Sequence, residues 1–171
     1  AIAMEGEGQI LSCDIHPHKL KLIDSGAERL GISCLRTMLA DAREHHAAWD
    51  RAADVVIADV PCSGLGIIRK KPDIRYKNPE ELAQLPIIQR EILENVCRYV
   101  RSGGVLVYST CTILPEENEQ VTEAFLQAHP EFERTAFTLP LPIGSCDGQL
   151  TLWPQRHGTD GFYICRMRRK D

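Results

Sequence analysis

No C-x-x-C pair occurs among the seven cysteines, Cys13, Cys34, Cys62, Cys97, Cys111, Cys146 and Cys165, and an odd number cannot close into a fully paired disulfide set. Several lie in apolar runs, where a free thiol behaves as a small core residue. The pattern points to a reducing, cytoplasmic setting without a structural metal. No apolar run reaches the ~18 residues of a membrane span, and no secretory leader is visible, so a membrane is not an expected partner. Nor is there an internal repeat or a low-complexity linker. The 171 residues therefore read as one monomeric domain, long enough to bury a core. Positive charge is not in excess either: 20 Lys and Arg stand against 24 Asp and Glu, for a net charge of −4, which excludes a wholly basic nucleic-acid coat. Finally, no glycine-rich turn precedes Asp14. The chain opens on Ala1-Ile2-Ala3-Met4-Glu5-Gly6, which reads as the tail of a helix, so the start of the fold is expected to be missing.

Short apolar runs alternate with amphipathic stretches of helical length, the pattern of an α/β fold with a mostly parallel, doubly wound sheet. Strands are expected over 9–14, 35–39, 55–58 and 105–109, with helices over 17–30, 87–100 and 115–129. Two further strands are expected over 132–138 and 161–167. Asp14, Asp41 and Asp59 stand at or just beyond three strand ends, and in open α/β sheets ligands lie beyond the carboxyl ends of the strands. Asp14 has the position of an acid that binds ribose hydroxyls, and Asp41 that of one reaching the attached base. The same acids would serve equally as caps of the turns that follow them.

Two segments carry chemistry. Asp59-Val60-Pro61-Cys62-Ser63-Gly64-Leu65-Gly66 sets an acid, a stiff proline turn and a thiol beside glycines that permit close backbone approach. Tyr108-Ser109-Thr110-Cys111-Thr112 places a second thiol just past another buried strand, and adjacent parallel strands would bring both to one rim. Either cysteine alone would read as packing; the two with an acid suggest nucleophilic catalysis. A thiolate adding to C6 of a cytosine makes C5 nucleophilic enough to accept a methyl group. An ordinary thiol, with a pKa near ~8.5, needs help to ionise, and the positive end of a helix starting near Pro115 would supply it. Arg69-Lys70-Lys71 forms a local basic stretch.

These two segments resemble the catalytic motifs of the RNA cytosine-5 methyltransferases, in particular those acting on 16S ribosomal RNA. The resemblance extends to Asp14 with Lys19-Leu20, to Arg69 through Ile74, to Gln89 with Leu93 and to Gly103 through Tyr108. It continues in Pro115-Glu116-Glu117-Asn118-Glu119 and in Trp153-Pro154 through Phe162. It implies a Rossmann-like class I fold using S-adenosyl-L-methionine, here lacking the first strand and the glycine-rich cofactor loop. Cys111 would bond to C6, Cys62 would assist release, and Asp59 would contact the cytosine and the cofactor's methionine end. Asp14 would hold the ribose and Asp41 the adenine, while Arg69, Lys70 and Lys71 would meet RNA phosphates. Without the cofactor loop, and without an amino-terminal RNA-binding domain, the 171 residues are expected to bind the cofactor poorly and to be inactive alone. Two rivals stand beside this reading. One is a DNA cytosine-5 methyltransferase attacking through Cys62; the other is a non-catalytic RNA-binding module of the same fold.

Overall fold

In the computed structural model, which describes residues 1–171, the chain packs as two compact units, Ala1–Glu44 and His45–Asp171. The first holds a parallel strand pair and its connecting helix. β1 (Ile10–Asp14) pairs with β2 (Leu35–Leu39) from Ile10 opposite Leu35 to Asp14 opposite Leu39. Between them runs α1 (Pro17–Arg29), with Pro17 in its first turn and Arg29 in its last, as the helix dipole favours. Gly31, at φ +66°, ends it, and the Thr37 hydroxyl donates to the Asp24 carboxylate to tie helix to strand.

The second unit continues with β3 (Ala53–Asp59), then α2 (Pro79–Val96) and β4 (Val100–Thr110). After these come α3 (Glu119–Ala128), β5 (Phe132–Arg134), β6 (Phe137–Leu139), β7 (Gly144–Cys146) and β8 (Gln149–Leu152). A short α4 (Pro154–His157) and β9 (Phe162–Arg169) close the chain. β3 and β4 are parallel, whereas β9 runs antiparallel to β4, β5 and β8. The α/β architecture is therefore parallel in its strand–helix–strand parts and antiparallel around the last strand. Leu93, Val100, Leu106, Tyr108, Val121, Tyr163 and Met167 form the solvent-free centre of this unit.

Several boundaries differ from the sequence pattern. α2 stops at Val96, where a 3-10 turn over Cys97–Tyr99 follows, and β4 starts at Val100 rather than 105, because Val100 already pairs with Ala53 ahead of a register shift. α2 begins eight residues before Ile87, because the Asn78 side chain accepts the Glu80 N–H and Pro79 sits in the first turn. α3 begins at Glu119 rather than near Pro115; residues 114–118 form turns instead, with Glu117 N–H on the Leu114 carbonyl and Asn118 N–H on that of Pro115. The strand expected over 132–138 breaks in two. Arg166 draws the Thr135 hydroxyl and the Ala136 carbonyl out of the ladder, and β6 pairs with β7 instead.

Candidate active site

Two adjacent parallel strands end together where Asp59 of β3 lies opposite Ser109 of β4. The pairing extends one bond further, from the Val60 N–H to the Ser109 carbonyl, before both chains turn away. On those turns the sulfurs of Cys62 and Cys111 stand 3.0 Å apart, half-buried, hydrogen-bonded and not joined as a disulfide. The expectation that the sheet brings both thiols to one rim is met. Asp59 is at the same rim, its carboxylate accepting the Ser109 hydroxyl at 3.1 Å.

Buried polar contacts fix the two turns. The Ser63 hydroxyl donates to that of Thr112 at 2.8 Å, linking the two loops directly. One carboxylate oxygen of Glu117 accepts the Ser63 N–H at 2.8 Å and the Gln89 side-chain amide at 2.9 Å; that amide also donates to the Pro61 carbonyl. Asn118 accepts the Thr110 hydroxyl and donates to the Thr112 carbonyl. Backbone contact completes the frame: Gly66 N–H donates to the Cys111 carbonyl, and Gly161 N–H to the Gly66 carbonyl. A Cβ on Gly66 would stand 2.0 Å from the Gly161 oxygen, so only glycine fits where these three segments cross.

The two thiols are not equivalent. A hydrogen bond from the Cys62 thiol outweighs burial and the repulsion of Asp59, and with the Lys77 ammonium it lowers the Cys111 pKa to about 7. The same bond, with deeper burial and the charge on Cys111, pushes the Cys62 thiol far up. Lys77 is itself tethered, donating to the Ser63 carbonyl at 2.9 Å. The helix end expected to activate Cys111 is not its source. α3 starts eight residues after Cys111, and the Gln120 N–H at its head is taken by the Pro115 carbonyl.

In the unit Ala1–Glu44, Asp14 and Asp41 follow adjacent strands. Asp14 is only slightly buried, which opposes its ionisation; the His16 N–H and Lys19 nonetheless hold its carboxyl below the usual range. Arg43 does the same for Asp41, through its side chain and its backbone N–H. Both acids thus have local turn and ion-pair partners, yet about a quarter of each side chain meets solvent (24% and 25%). Arg69 and Lys70 both pair with the nearly buried carboxylate of Asp160 while remaining 69% and 67% exposed; Lys71 is exposed.

Ser63, Thr112, Glu117, Asn118 and Asp160 lie within the motifs that carry the resemblance, and Lys77 outside them, but none was expected to organise the site. Gln89 did leave a physical signal. It shares a face with Ile92, Leu93 and Val96 at helical spacing, and a glutamine on an apolar stripe requires a buried partner.

Comparison with known proteins gives the lineage. Residues 1–168 match the sequence model of the family described as 16S rRNA methyltransferase RsmB/F. A probable ribosomal RNA small subunit methyltransferase B of Bacillus subtilis is 42% identical over 174 residues, covering 98% of this chain and 39% of the relative. Among solved structures, PH0851 is 34% identical with a TM-score of 0.87, covering 97% of this chain and 38% of its own. NSun6 from Pyrococcus horikoshii, solved with SFG, is 25% identical with a TM-score of 0.79, covering 100% of this chain and 44% of its own. The chain spans about two-fifths of the length of the curated relatives it matches. With the match running across nearly all its residues, the chain belongs to the RsmB/F family of 16S rRNA methyltransferases.

Proposed function

We propose that the protein carrying this chain transfers a methyl group from S-adenosyl-L-methionine to C5 of a cytosine in 16S ribosomal RNA, with Cys111 as nucleophile. The observation that carries the reading is the pair of sulfurs 3.0 Å apart at the shared strand-end rim, with Cys111 under the charges of Asp59 and Lys77. S-adenosyl-L-methionine supplies an electrophilic methyl group when bound. Two acids after adjacent parallel strands fit its ribose and adenine: Asp14 and Asp41 keep solvent-facing lone pairs beyond those taken by Lys19 and Arg43.

The cytosine is swung out of its stack to reach the rim. The Cys111 thiolate adds to C6, forming the S–C6 bond, and the C5–C6 π electrons become available at C5. Asp59 faces N3 and the exocyclic amine: it accepts from the amine, and a proton shared between its carboxyl and N3 neutralises the negative charge that develops on N3 and returns when the thiol leaves. With C5 methylated, its proton must leave. Bonding to C6 removes the negative charge from the Cys111 sulfur, and with it the charge that held the Cys62 proton. Cys62 can then give its proton to solvent and, as the thiolate, take the C5 proton as the C5–C6 double bond re-forms and the Cys111 thiolate departs, one proton being released overall per methyl group transferred. Arg69, Lys70 and Lys71 would meet phosphate oxygens; Asp160 pairs with the first two and leaves both mostly exposed.

One contact favours the reverse assignment, in which Cys62 attacks: the Cys111 N–H donates to the Cys62 sulfur at 3.2 Å. Against it stand the deeper burial of Cys62 and the Lys77 charge acting on Cys111. Covalent trapping decides between them. In the full-length protein, incubated with cofactor and 16S rRNA, Cys62→Ala should accumulate a denaturation-resistant protein–RNA adduct. Cys111→Ala should form none, and the unsubstituted protein should leave 5-methylcytosine in the RNA. Adduct from Cys111→Ala and none from Cys62→Ala would overturn the assignment.

A further inference from the structure

Glu117 and Asn118 are consecutive, in turns ahead of α3, and both are excluded from solvent. Their side chains divide between the two thiol loops. Glu117 takes the N–H of Ser63, the residue after Cys62. Through the Gln89 amide it is also joined to the carbonyl of Pro61, the residue before it. Asn118 takes the hydroxyl of Thr110, the residue before Cys111, and donates to the carbonyl of Thr112, the residue after it. Each thiol is therefore gripped on both flanks by one member of the dipeptide. The pair is anchored in turn to β4, where the buried Tyr108 hydroxyl donates to the Glu117 carbonyl at 2.6 Å.

Stability alone does not account for this arrangement. The second carboxylate oxygen of Glu117 and the Gln89 carbonyl oxygen are both buried without a partner. Burying polar atoms unpaired costs free energy that an apolar side chain of similar size would avoid. Such costs persist where positioning matters, because misplacing reacting groups by an ångström lowers rates by about a hundredfold.

We propose that Glu117 and Asn118 are separate positioning residues: Glu117 sets Cys62 for breakdown of the methylated adduct, and Asn118 sets Cys111 for attack on C6. The inference rests on the thiol roles proposed above. It makes a distinction that a merely structural role would not, because loss of Glu117 should resemble loss of Cys62, and loss of Asn118 should resemble loss of Cys111. The Ser63–Thr112 bond links the loops, so each effect is a bias between steps rather than a complete separation.

The test measures turnover and trapped adduct together in the full-length protein, with Cys62→Ala and Cys111→Ala as controls. Glu117→Ala should lower turnover ~100-fold while raising the trapped fraction ~10-fold, and Glu117→Gln, which keeps an acceptor oxygen, should stay within ~3-fold of the parent. Asn118→Asp keeps the acceptor but turns a carboxylate on the Thr112 carbonyl. It should lower turnover and adduct in the same proportion. If Glu117→Ala does not fold, Gln89→Leu cuts the same grip on Pro61 and should raise the trapped fraction ~3-fold. Controls that split as expected, with Glu117→Ala (or its substitute) and Asn118→Asp losing adduct and turnover alike, would overturn this inference alone. Controls that fail to split would overturn the thiol roles, and this inference with them.

Discussion

The acids of Ala1–Glu44 and the thiols of His45–Asp171 are held in opposite ways. Asp14 and Asp41 reach solvent and are steadied by neighbours two to five residues away, His16, Lys19 and Arg43. Cys62 and Cys111 lie 49 residues apart in sequence, and their geometry depends on Gln89, Glu117, Asn118 and Gly161, from three different segments. Each arrangement suits the task proposed for it. A carboxylate that accepts hydrogen bonds from a flexible ligand tolerates small displacement, since local contacts keep it ionised and oriented. Two sulfurs that must exchange a proton and then separate their roles need a frame that does not move.

That contrast can be broken most severely at the glycine crossing. Gly66→Ala puts a methyl group 2.0 Å from the Gly161 carbonyl oxygen and 2.8 Å from that of Cys111, both backbone atoms that cannot swing aside. Overpacking of this kind typically costs about 1–3 kcal/mol, and contact with rigid backbone places it at the upper end or beyond. Denaturant unfolding should show a loss of ~3 kcal/mol or more, and methyl transfer should disappear. A loss below ~0.5 kcal/mol, the range of ordinary surface changes, would mean the crossing relaxes freely.

The exposed acids should give the smaller effect, and only on binding. Asp14→Asn and Asp41→Asn each remove a solvent-facing ion pair worth at most about 1 kcal/mol, so thermal unfolding should barely change. If the acids meet ribose and adenine, each substitution should weaken cofactor binding by about tenfold in calorimetry, the loss of one charge-assisted hydrogen bond. Equal cofactor affinity in both variants would leave Asp14 and Asp41 as turn caps only.

How far the sequence could reveal this site follows from the same contrast. The thiols were legible because each follows a buried strand within a short motif, Pro61-Cys62-Ser63-Gly64 or Thr110-Cys111-Thr112, and parallel pairing brings such ends together. Asp14, Asp41 and Asp59 were legible as strand-end acids for the same reason. Glu117 and Asn118 were marked by the family resemblance alone, and their contacts were not legible, since acidic and amide residues ahead of a helix look like ordinary caps and first-turn charges. Their contacts depend on residue 117 meeting 63, and residue 118 meeting 110 and 112, across the rim, which no local pattern encodes. Asp160 lies in a stretch that the family resemblance covers, but its partners were not legible, because its pairing with Arg69 and Lys70 spans about 90 residues. Among the folded elements, the antiparallel surroundings of β9 were the least legible. Very short strands such as β5, β6 and β7, of three residues each, carry too few alternations to show a period.

The central claim is that Cys62 holds the proton and Cys111 the charge, and alkylation against pH measures this without RNA or cofactor. Iodoacetamide labelling of the full-length protein, resolved by peptide mass spectrometry, should modify Cys111 with a midpoint near pH 7, about its depressed pKa, and leave Cys62 unreactive there. Because the Cys62 hydrogen bond is the main cause of the depression, Cys62→Ala should move the Cys111 midpoint upward, past the ordinary thiol value of ~8.5. Preferential labelling of Cys62 near neutral pH, or a Cys111 midpoint that Cys62→Ala leaves in place, would contradict the account.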